Sequence, residues 1–174
     1  MAQQAHRDQR PFAEVYQEHV RSIYRYHLIR TGSAEEAQDL TSQTFLAALE
    51  SFHGYSGRGS LAGWLFGIAR HKVADFYRQR RGHLPLDSAA VQSLSDSSPE
   101  DAAAIRLQLA RVAAALRTLP SAQAEALVLR LFSQLSAAEA GHVMGKSPAA
   151  VKMLVHRGLR NLREKLGGEM EVWL

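Results

Sequence analysis

The sequence predicts an all-α protein: two small helical domains joined by a flexible linker, the second domain containing a helix-turn-helix. Three observations lead to this. Apolar residues recur every three or four positions in both halves, and no stretch alternates long enough to form a sheet. Residues 82–104, GHLPLDSAAVQSLSDSSPEDAAA, lack that periodicity and are rich in Ser, Asp, Pro and Gly, as linkers are. Near the C-terminus, a short helix, a glycine-containing turn and a long helix follow one another.

Composition narrows the possible functions. The chain has 174 residues, of which 46% are hydrophobic, as in globular proteins. It has no cysteine, which excludes disulfides, thiolate catalysis and Cys-type zinc sites. The N-terminus does not resemble a secretory signal, and no apolar run reaches the roughly 20 residues of a membrane span. We therefore expect a cytoplasmic protein.

Charge is distributed unevenly along the chain. Residues 1–81 carry eleven Lys or Arg against eight Asp or Glu, whereas residues 82–104 carry none against four. Residues 105–174 carry ten against five. Two basic blocks joined by an acidic strip favour a polyanionic partner.

The first block begins with two predicted helices. The first spans about 11–30 and is stopped by Thr31-Gly32. Ser33 with Glu36 forms the pattern of a capping box, which opens a second helix that reaches about residue 52. The apolar face of this second helix is predicted to include Leu40, Phe45, Leu46 and Leu49.

A third helix follows the glycine-rich stretch FHGYSGRGS, residues 52–60, which predicts a loop. Ser60 can cap this helix, in which aromatic and basic residues interleave: Trp64, Phe66, Phe76 and Tyr77 with Arg70, Lys72, Arg78, Arg80 and Arg81. Such a mixture suits single-stranded or melted nucleic acid. Trp64 and Phe76 also fit the apolar stripe, so a core role for them stays open.

The second block begins with a helix near residues 102–118, ended by Leu119-Pro120. Ser121 is predicted to cap the next helix. Together these two helices would support the helix-turn-helix that follows them.

The helix-turn-helix is predicted from the residues that begin and end its helices. Ser136 with Glu139 forms a second capping box, which opens a short helix ending at Gly145. Ser147 caps the last helix, and Pro148 occupies its first turn, where a missing N–H costs nothing. The caps, the turn length and the apolar spacing therefore agree.

Two faces of the last helix differ in character. One is an apolar stripe for the core: Val151, Leu154, Val155, Leu159, Leu162 and Leu166. The other is a basic row, which Arg157 borders: Lys152, His156, Arg160 and Arg163. Basic residues near a helix C-terminus can simply be solvated and favoured by the helix dipole. Beside the exposed start of a second helix, however, such a row favours a recognition helix in the major groove.

Three stretches carry a resemblance to a known family. They are DLTSQTFLAALESF (Asp39 to Phe52), WLFGIARHKVADFYRQRR (Trp64 to Arg81) and LSAAEAGHVMGKSPAAVKMLVHRGLRNLREKL (Leu135 to Leu166). In this order they resemble the extracytoplasmic-function (ECF) class of bacterial RNA polymerase sigma factors. The resemblance covers nearly the whole chain outside the linker and the termini.

The resemblance implies a division of labour. Residues 9–81 would be sigma region two, 82–104 a flexible acidic linker and 105–168 sigma region four. The implied function is to bind core RNA polymerase, direct it to promoters and assist promoter melting. The implied partners are the clamp coiled coil and flap of the polymerase, promoter DNA and an anti-sigma factor. The resemblance implies no catalysis, cofactor, metal or small-molecule substrate.

The resemblance also assigns residues to three surfaces. Contact with core polymerase falls to Asp39, Leu40, Thr44 and Phe45. The minus-ten element falls to Phe52, His53, Tyr55, Ser56, Arg58, Ser60, Arg70, His71, Lys72 and Asp75. The minus-thirty-five element falls to Ser147, Ala149, Ala150, Lys152, Met153, His156, Arg157 and Arg160. Where the family often carries hydroxyls and an arginine, this helix has Ala150, Met153 and Leu154. Contacts with thymine methyl groups would instead fall to Ala149, Ala150 and Met153.

The implied promoter spacing constrains the linker. A spacer of about 17 base pairs spans roughly 58 Å, given 3.4 Å per step. The linker reaches about 75 Å when extended but averages on the order of 25 Å as a coil. We therefore expect the polymerase to hold the two domains apart.

Two alternative functions stay open at this stage. His71 and Asp75 lie four positions apart on one helix with His53 nearby in sequence, which is compatible with a metal hydrolase, although no hydrolase motif is present. A helix-turn-helix regulator that is not a polymerase subunit would explain the second block alone.

Overall fold

The computed structural model describes residues 11–55, 57, 59–80 and 110–166, and these residues form helices and connecting turns without a strand. The first half contains α1 (Phe12–Thr31), α2 (Ala34–Ser51), a 3₁₀ turn (Phe52–Gly54) and α3 (Leu61–Arg80). The second half contains α4 (residues 110–117), α5 (Ser121–Leu127), a π-helical turn (Val128–Phe132), α6 (Ala137–Met144) and α7 (Pro148–Leu166). The predicted all-α class is confirmed. The predicted linker, 82–104, lies outside the described residues.

The helix ends in the first half follow the local chemistry of the sequence. Gly32 ends α1 with a φ of 75°, a left-handed conformation that glycine adopts without steric cost. The Ser33 hydroxyl accepts a hydrogen bond from the Glu36 N–H at 3.3 Å and so caps α2. The Glu36 carboxylate binds Arg80 at 3.2 Å instead of returning to the cap, so one half of the predicted capping box forms.

Helices α1, α2 and α3 pack around one apolar centre. Val15, Ile23 and Leu65 have no exposed surface. Tyr26 and Phe66 meet edge to face with ring centroids 5.5 Å apart. The packing fixes α2 and α3 side by side.

In the second half the predicted helix-turn-helix is present. The capping box of Ser136 and Glu139 forms in both directions. The turn is tight: a Cβ on Gly141 would lie 2.6 Å from the carbonyl oxygen of Lys146. Only glycine permits this close approach of backbone to backbone.

One predicted cap in the second half is wrong. Helix α5 begins at Ser121 itself, preceded by Pro120, and no side chain caps it. The Ser121 hydroxyl instead accepts a hydrogen bond from Arg30 Nη2 of α1 at 3.3 Å. A local pattern could not reveal this, because the partner lies 91 residues away.

The two halves are in contact. Helix α3 packs against α6, and α1 packs against the π-helical turn. A cleft of about 650 Å³ remains between them, lined by residues of α1, α3, α4 and α5. None of the described helices is long and apolar enough to cross a membrane.

Candidate nucleic-acid and protein interfaces

Helix α7 is held by its apolar side. Ser147 accepts a hydrogen bond from the Ala150 N–H at 3.2 Å and fixes the start of the helix, as predicted. Val151 and Leu162 are buried, and α7 approaches α5 closely at Gly158. A Cβ on Gly158 would lie 2.8 Å from Leu127 Cδ1. This packing turns the opposite side of α7 towards solvent.

That outward side carries the residues predicted for the minus-thirty-five element. Exposed are Ser147, Ala149, Lys152, Met153, His156, Arg157 and Arg160, whereas Ala150 is half-buried. Met153, an apolar residue at the start of the helix, is 52% exposed. Within the described ranges, none of these cations forms an ion pair. Their charge is therefore available to an external anion.

The residues predicted for the minus-ten element fall into two groups. In the first, the loop aromatics are mainly structural. Phe52 packs against Phe12 and Trp64. Tyr55 is buried, its ring 5.0 Å from that of Trp64, and its hydroxyl donates to the Gly59 carbonyl at 3.2 Å. A base cannot stack on the Tyr55 ring in this arrangement, whereas the exposed His53 remains accessible.

The second group lies on α3 and at its start. His71 is exposed and Lys72 half-buried. Ser60 caps the helix by accepting from the Gly63 N–H at 3.0 Å. Asp75 is bound to Arg78 at 2.5 Å. The remaining two minus-ten residues, Ser56 and Arg58, lie outside the described residues.

Arg70, also predicted to contact the minus-ten element, is engaged by the second half of the chain. Its Nε donates to Oε1 of Glu125 on α5 at 2.9 Å. The Tyr26 hydroxyl donates to the same oxygen at 3.4 Å. Burial, and then the negative charge of Glu125, raise the pKa of Tyr26, so its phenol stays a proton donor.

A second carboxylate of the same half lies at the start of α3. The pKa of Glu139 is lowered, first by hydrogen bonding to Ser136 and next by hydrogen bonding to Ser60. Ser60 therefore both caps α3 and interacts with α6. Sequence reasoning identified Ser60 and Glu139 as helix caps but missed that they meet.

The residues predicted to contact core polymerase differ in their exposure to solvent. Asp39 is exposed on α2, whereas Leu40, Thr44 and Phe45 are buried beneath it. Thr44 donates to the Leu40 carbonyl at 2.7 Å, and Phe45 packs edge-on against Tyr16 with centroids 4.8 Å apart. In this conformation these three residues shape the helix, and only Asp39 meets solvent.

Leu46 and Leu49, predicted for the apolar face of α2, are instead exposed by 58% and 49%. Leu46 and Asp39 lie two helical turns apart on the same outer side of α2. Tyr16 is also 46% exposed. Sequence reasoning missed these side chains as candidate contacts, and the signal was available: the spacing of Ala37, Thr41, Thr44 and Ala48 already defines the inner side.

The metal-hydrolase alternative gains no support from side-chain placement. Across residues 11–55, 57, 59–80 and 110–166, no cluster of three or more His, Cys, Asp or Glu side chains could hold a metal ion. Asp75 is paired with Arg78 rather than with His71.

Comparison with known proteins identifies two family regions. The sigma-70 region 2 family matches residues 14–83, and the sigma-70 region 4 family matches residues 109–162. A protein with both regions resembles a sigma factor rather than a helix-turn-helix regulator, which would need only the second.

Two curated relatives are ECF RNA polymerase sigma factors. BldN of Streptomyces coelicolor, an ECF RNA polymerase sigma factor, is 35% identical over 158 residues, covering 89% of this chain and 60% of BldN. The chain thus spans less than two thirds of BldN. SigD of Mycobacterium tuberculosis, another ECF sigma factor, is 32% identical over 151 residues, covering 83% of this chain and 71% of SigD.

Solved structures share the fold. CnrH in complex with the cytosolic domain of CnrY aligns with a TM-score of 0.70 and 26% identity, covering 91% of this chain and 88% of CnrH. RpoE of Bartonella quintana, in complex with the anti-sigma factor NepR, aligns with a TM-score of 0.77 over 91% of this chain and 98% of RpoE, at 22% identity. The RpoE likeness supports the fold alone. Both family regions and relatives above 30% identity agree, and the chain belongs to the ECF class of RNA polymerase sigma factors.

Proposed function

We propose that this sigma factor binds core RNA polymerase through α2, contacts the minus-ten element through α3 and its preceding loop, and reads the minus-thirty-five element through α7. It would thereby direct the polymerase to promoters and assist melting. The observation that carries the DNA part is the outward side of α7, where cations without an ion pair among the described residues surround an exposed helix start.

The chemistry of α7 suits a major groove. Lys152, Arg157 and Arg160 can hold phosphates, which fix the position of the helix without reading sequence. Ala149 and Met153, exposed in the first two turns, suit the methyl groups of thymine. We therefore expect recognition to rest more on apolar contact than on bidentate hydrogen bonds.

The chemistry of α3 suits a melted strand. Lys72 and Arg70 can bind phosphates, and the exposed His71 and His53 can meet bases. Because the Tyr55 ring is packed against Trp64, base stacking would require the loop to rearrange. This role of the loop belongs to the DNA-bound state.

The polymerase contact on α2 combines charge with apolar surface. Asp39 supplies a carboxylate, and Leu46 and Leu49 supply exposed apolar area that is unusual on a solvated helix. Leu40, Thr44 and Phe45 would act by holding the helix rather than by touching the polymerase. We also propose an anti-sigma partner, because CnrH, which shares this fold at 26% identity, is bound to the cytosolic domain of CnrY in its solved structure.

Reconstitution tests this function. The full-length chain is added to sigma-free core polymerase with a duplex promoter and with a pre-melted bubble of the same sequence. We expect specific initiation on both. The Asp39→Arg substitution reverses the charge of the exposed carboxylate, so it should weaken core binding about tenfold while duplex binding through α7 is retained.

The matched control is Glu14→Arg, the same charge reversal on an exposed residue of α1. It should leave core affinity within a factor of two. If the wild-type chain neither binds core polymerase nor supports specific initiation, the proposed function is wrong. If Asp39→Arg binds core like wild type, the assignment of α2 is wrong while the function stands.

A further inference from the structure

Region four covers part of the side of α3 proposed for the minus-ten element, at Ser60 and Arg70, whereas His71 stays exposed. Helix α3 packs against α6, and two region-four carboxylates approach two of the proposed DNA-contacting residues. Glu125 binds Arg70 at 2.9 Å, and Glu139 interacts with Ser60. If Arg70 and Ser60 contact DNA as proposed, these two glutamates compete with it for the same donor groups.

The Glu125 contact occupies one donor group of Arg70, its Nε–H. The Glu125 side chain is only 9% exposed, and that of Arg70 is 39% exposed. A guanidinium binds carboxylates and phosphates with the same donor groups, so Arg70 cannot give its Nε–H to both at once. Tyr26, a core residue of region two, also donates to Glu125 and anchors the carboxylate from the other side.

The interface also has the features of a contact that can separate. A cleft of about 650 Å³ remains between the two regions. Within the part of the chain that the structure describes, the buried Nε of Arg30 has no hydrogen-bond partner. Incomplete packing and an unsatisfied buried donor both weaken an interface relative to a continuous core.

Promoter geometry requires such a separation. The two promoter elements of a typical spacing lie roughly 58 Å apart, given about 17 base pairs at 3.4 Å per step. In this structure α3 and α5 are in direct contact through Arg70 and Glu125. One molecule cannot hold both elements in the closed arrangement.

We propose that region four is an internal competitor of promoter DNA: Glu125, assisted by Glu139, occupies the DNA-contacting donors of α3 until the two regions separate. The proposal rests on the minus-ten role of α3 proposed above. It assigns to Glu125 a function in restraining the free sigma factor. Only a fraction of free molecules would then be competent for minus-ten DNA, which lowers the apparent affinity by that fraction.

The first test measures closure directly, without DNA. The full-length chain contains no cysteine, so Gln17→Cys and Glu164→Cys, both at exposed positions, place one spin label in each region. Pulsed electron resonance then gives the distance distribution. We expect one short, narrow distance with Glu125 present, and a longer, broader distribution in Glu125→Gln. Glu125→Gln/Glu139→Gln should open further, because both carboxylates are lost. Gln at position 139 can still form the capping box, so α6 should stay intact.

The second test measures access to DNA. Binding of the full-length chain to a single-stranded minus-ten oligonucleotide should tighten on the order of tenfold in Glu125→Gln. The matched control is Glu36→Gln, which makes the same substitution in an Arg–Glu pair confined to region two, Glu36 with Arg80 at 3.2 Å. It corrects for the gain of one positive charge and should leave both the distance and the affinity near wild type.

Exchanging the charges of Arg70 and Glu125 distinguishes loss of their ion pair from a general structural effect. Arg70→Glu alone should open the molecule, and Arg70→Glu/Glu125→Arg should restore the short distance. If the distance in Glu125→Gln equals that of wild type, the internal competition is overturned while the sigma function is untouched. If the molecule opens but oligonucleotide affinity does not rise, competition at Arg70 is overturned, and so is the proposed minus-ten role of that residue.

Discussion

At the scale of single residues, region two contains a buried histidine with a strongly shifted pKa. His27 has no exposed surface, and its Nε2 lies 3.0 Å from Thr44 Oγ1. The Thr44 hydroxyl already donates to the Leu40 carbonyl, so Nε2 must carry the proton and donate to Thr44. The other ring nitrogen, Nδ1, is buried without a partner among the described residues. Burial lowers the pKa of His27 from 6.5 to about 3.

This shift predicts a pH dependence of stability. The unfolded chain binds a proton at His27 below pH 6.5, whereas the folded chain resists it down to about pH 3. The contribution of neutral His27 to the free energy of unfolding is therefore complete above pH 6.5. It is lost as the pH falls, by up to about 1.4 kcal/mol per pH unit. Replacing His27 by Gln should remove this contribution to the slope of the free energy of unfolding against pH.

The measurement is urea unfolding between pH 7.5 and 5, followed by Trp64 fluorescence in a Trp173→Phe background, because the chain has two tryptophans. The free energy of unfolding should fall more steeply with acid in the His27 chain than in His27→Gln. Parallel slopes would show that His27 is not the titrating group.

The helix-turn-helix illustrates the scale of the element. Its turn folds the chain back so tightly that the Lys146 N–H donates to the Gly141 carbonyl at 2.8 Å. Gly145 supplies a positive φ of 64°. The placement of α7 against α5, and so of its outward side, depends on this turn and on the close approach at Gly158.

Alanine substitutions of two helical glycines should have opposite effects. In Gly141→Ala, the new Cβ would lie 2.6 Å from the Lys146 carbonyl oxygen, so region four should lose about 1–3 kcal/mol and bind minus-thirty-five duplex more weakly. Gly67→Ala on α3 meets nothing within 4 Å and should gain about 0.5–1 kcal/mol. Thermal unfolding and duplex binding measure both. Equal stability of the two variants would refute the steric argument.

At the scale of the whole molecule, charge and domain arrangement act together. The basic side of α7 faces solvent even while region four packs against α3, so under the proposed function α7 can meet duplex DNA without a separation of the two regions. Initial contact with DNA would then come from region four. Minus-ten binding would follow once the two regions separate.

Salt dependence tests this outward side. If Lys152 and Arg160 each neutralise a phosphate, Lys152→Gln/Arg160→Gln should reduce the slope of log affinity against log salt by about 1.8 on a minus-thirty-five duplex. Arg21→Gln/Arg25→Gln, which removes two cations from α1, is the control and should retain the wild-type slope. A wild-type slope in the α7 variant would place the phosphate contacts elsewhere.

The sequence by itself determined the helices and the family. Ser60, the pair of Ser136 and Glu139, and Ser147 all form the caps predicted from their spacing, because capping joins residues two or three positions apart. The apolar stripe of α7 likewise predicted which side would be buried. The basic row on its outward side followed from the same periodicity.

Only the tertiary structure decided which of the predicted site residues are accessible. Leu46 and Leu49 are exposed because α1 and α3 cover the other side of α2. The pairing of Arg70 with Glu125 joins residues 55 positions apart, across the two regions. Local periodicity carries no information about such contacts, since they depend on how whole helices pack. The sequence therefore predicted the surfaces for DNA, and the packing showed that two residues of the predicted minus-ten surface, Arg70 and Ser60, contact carboxylates of region four.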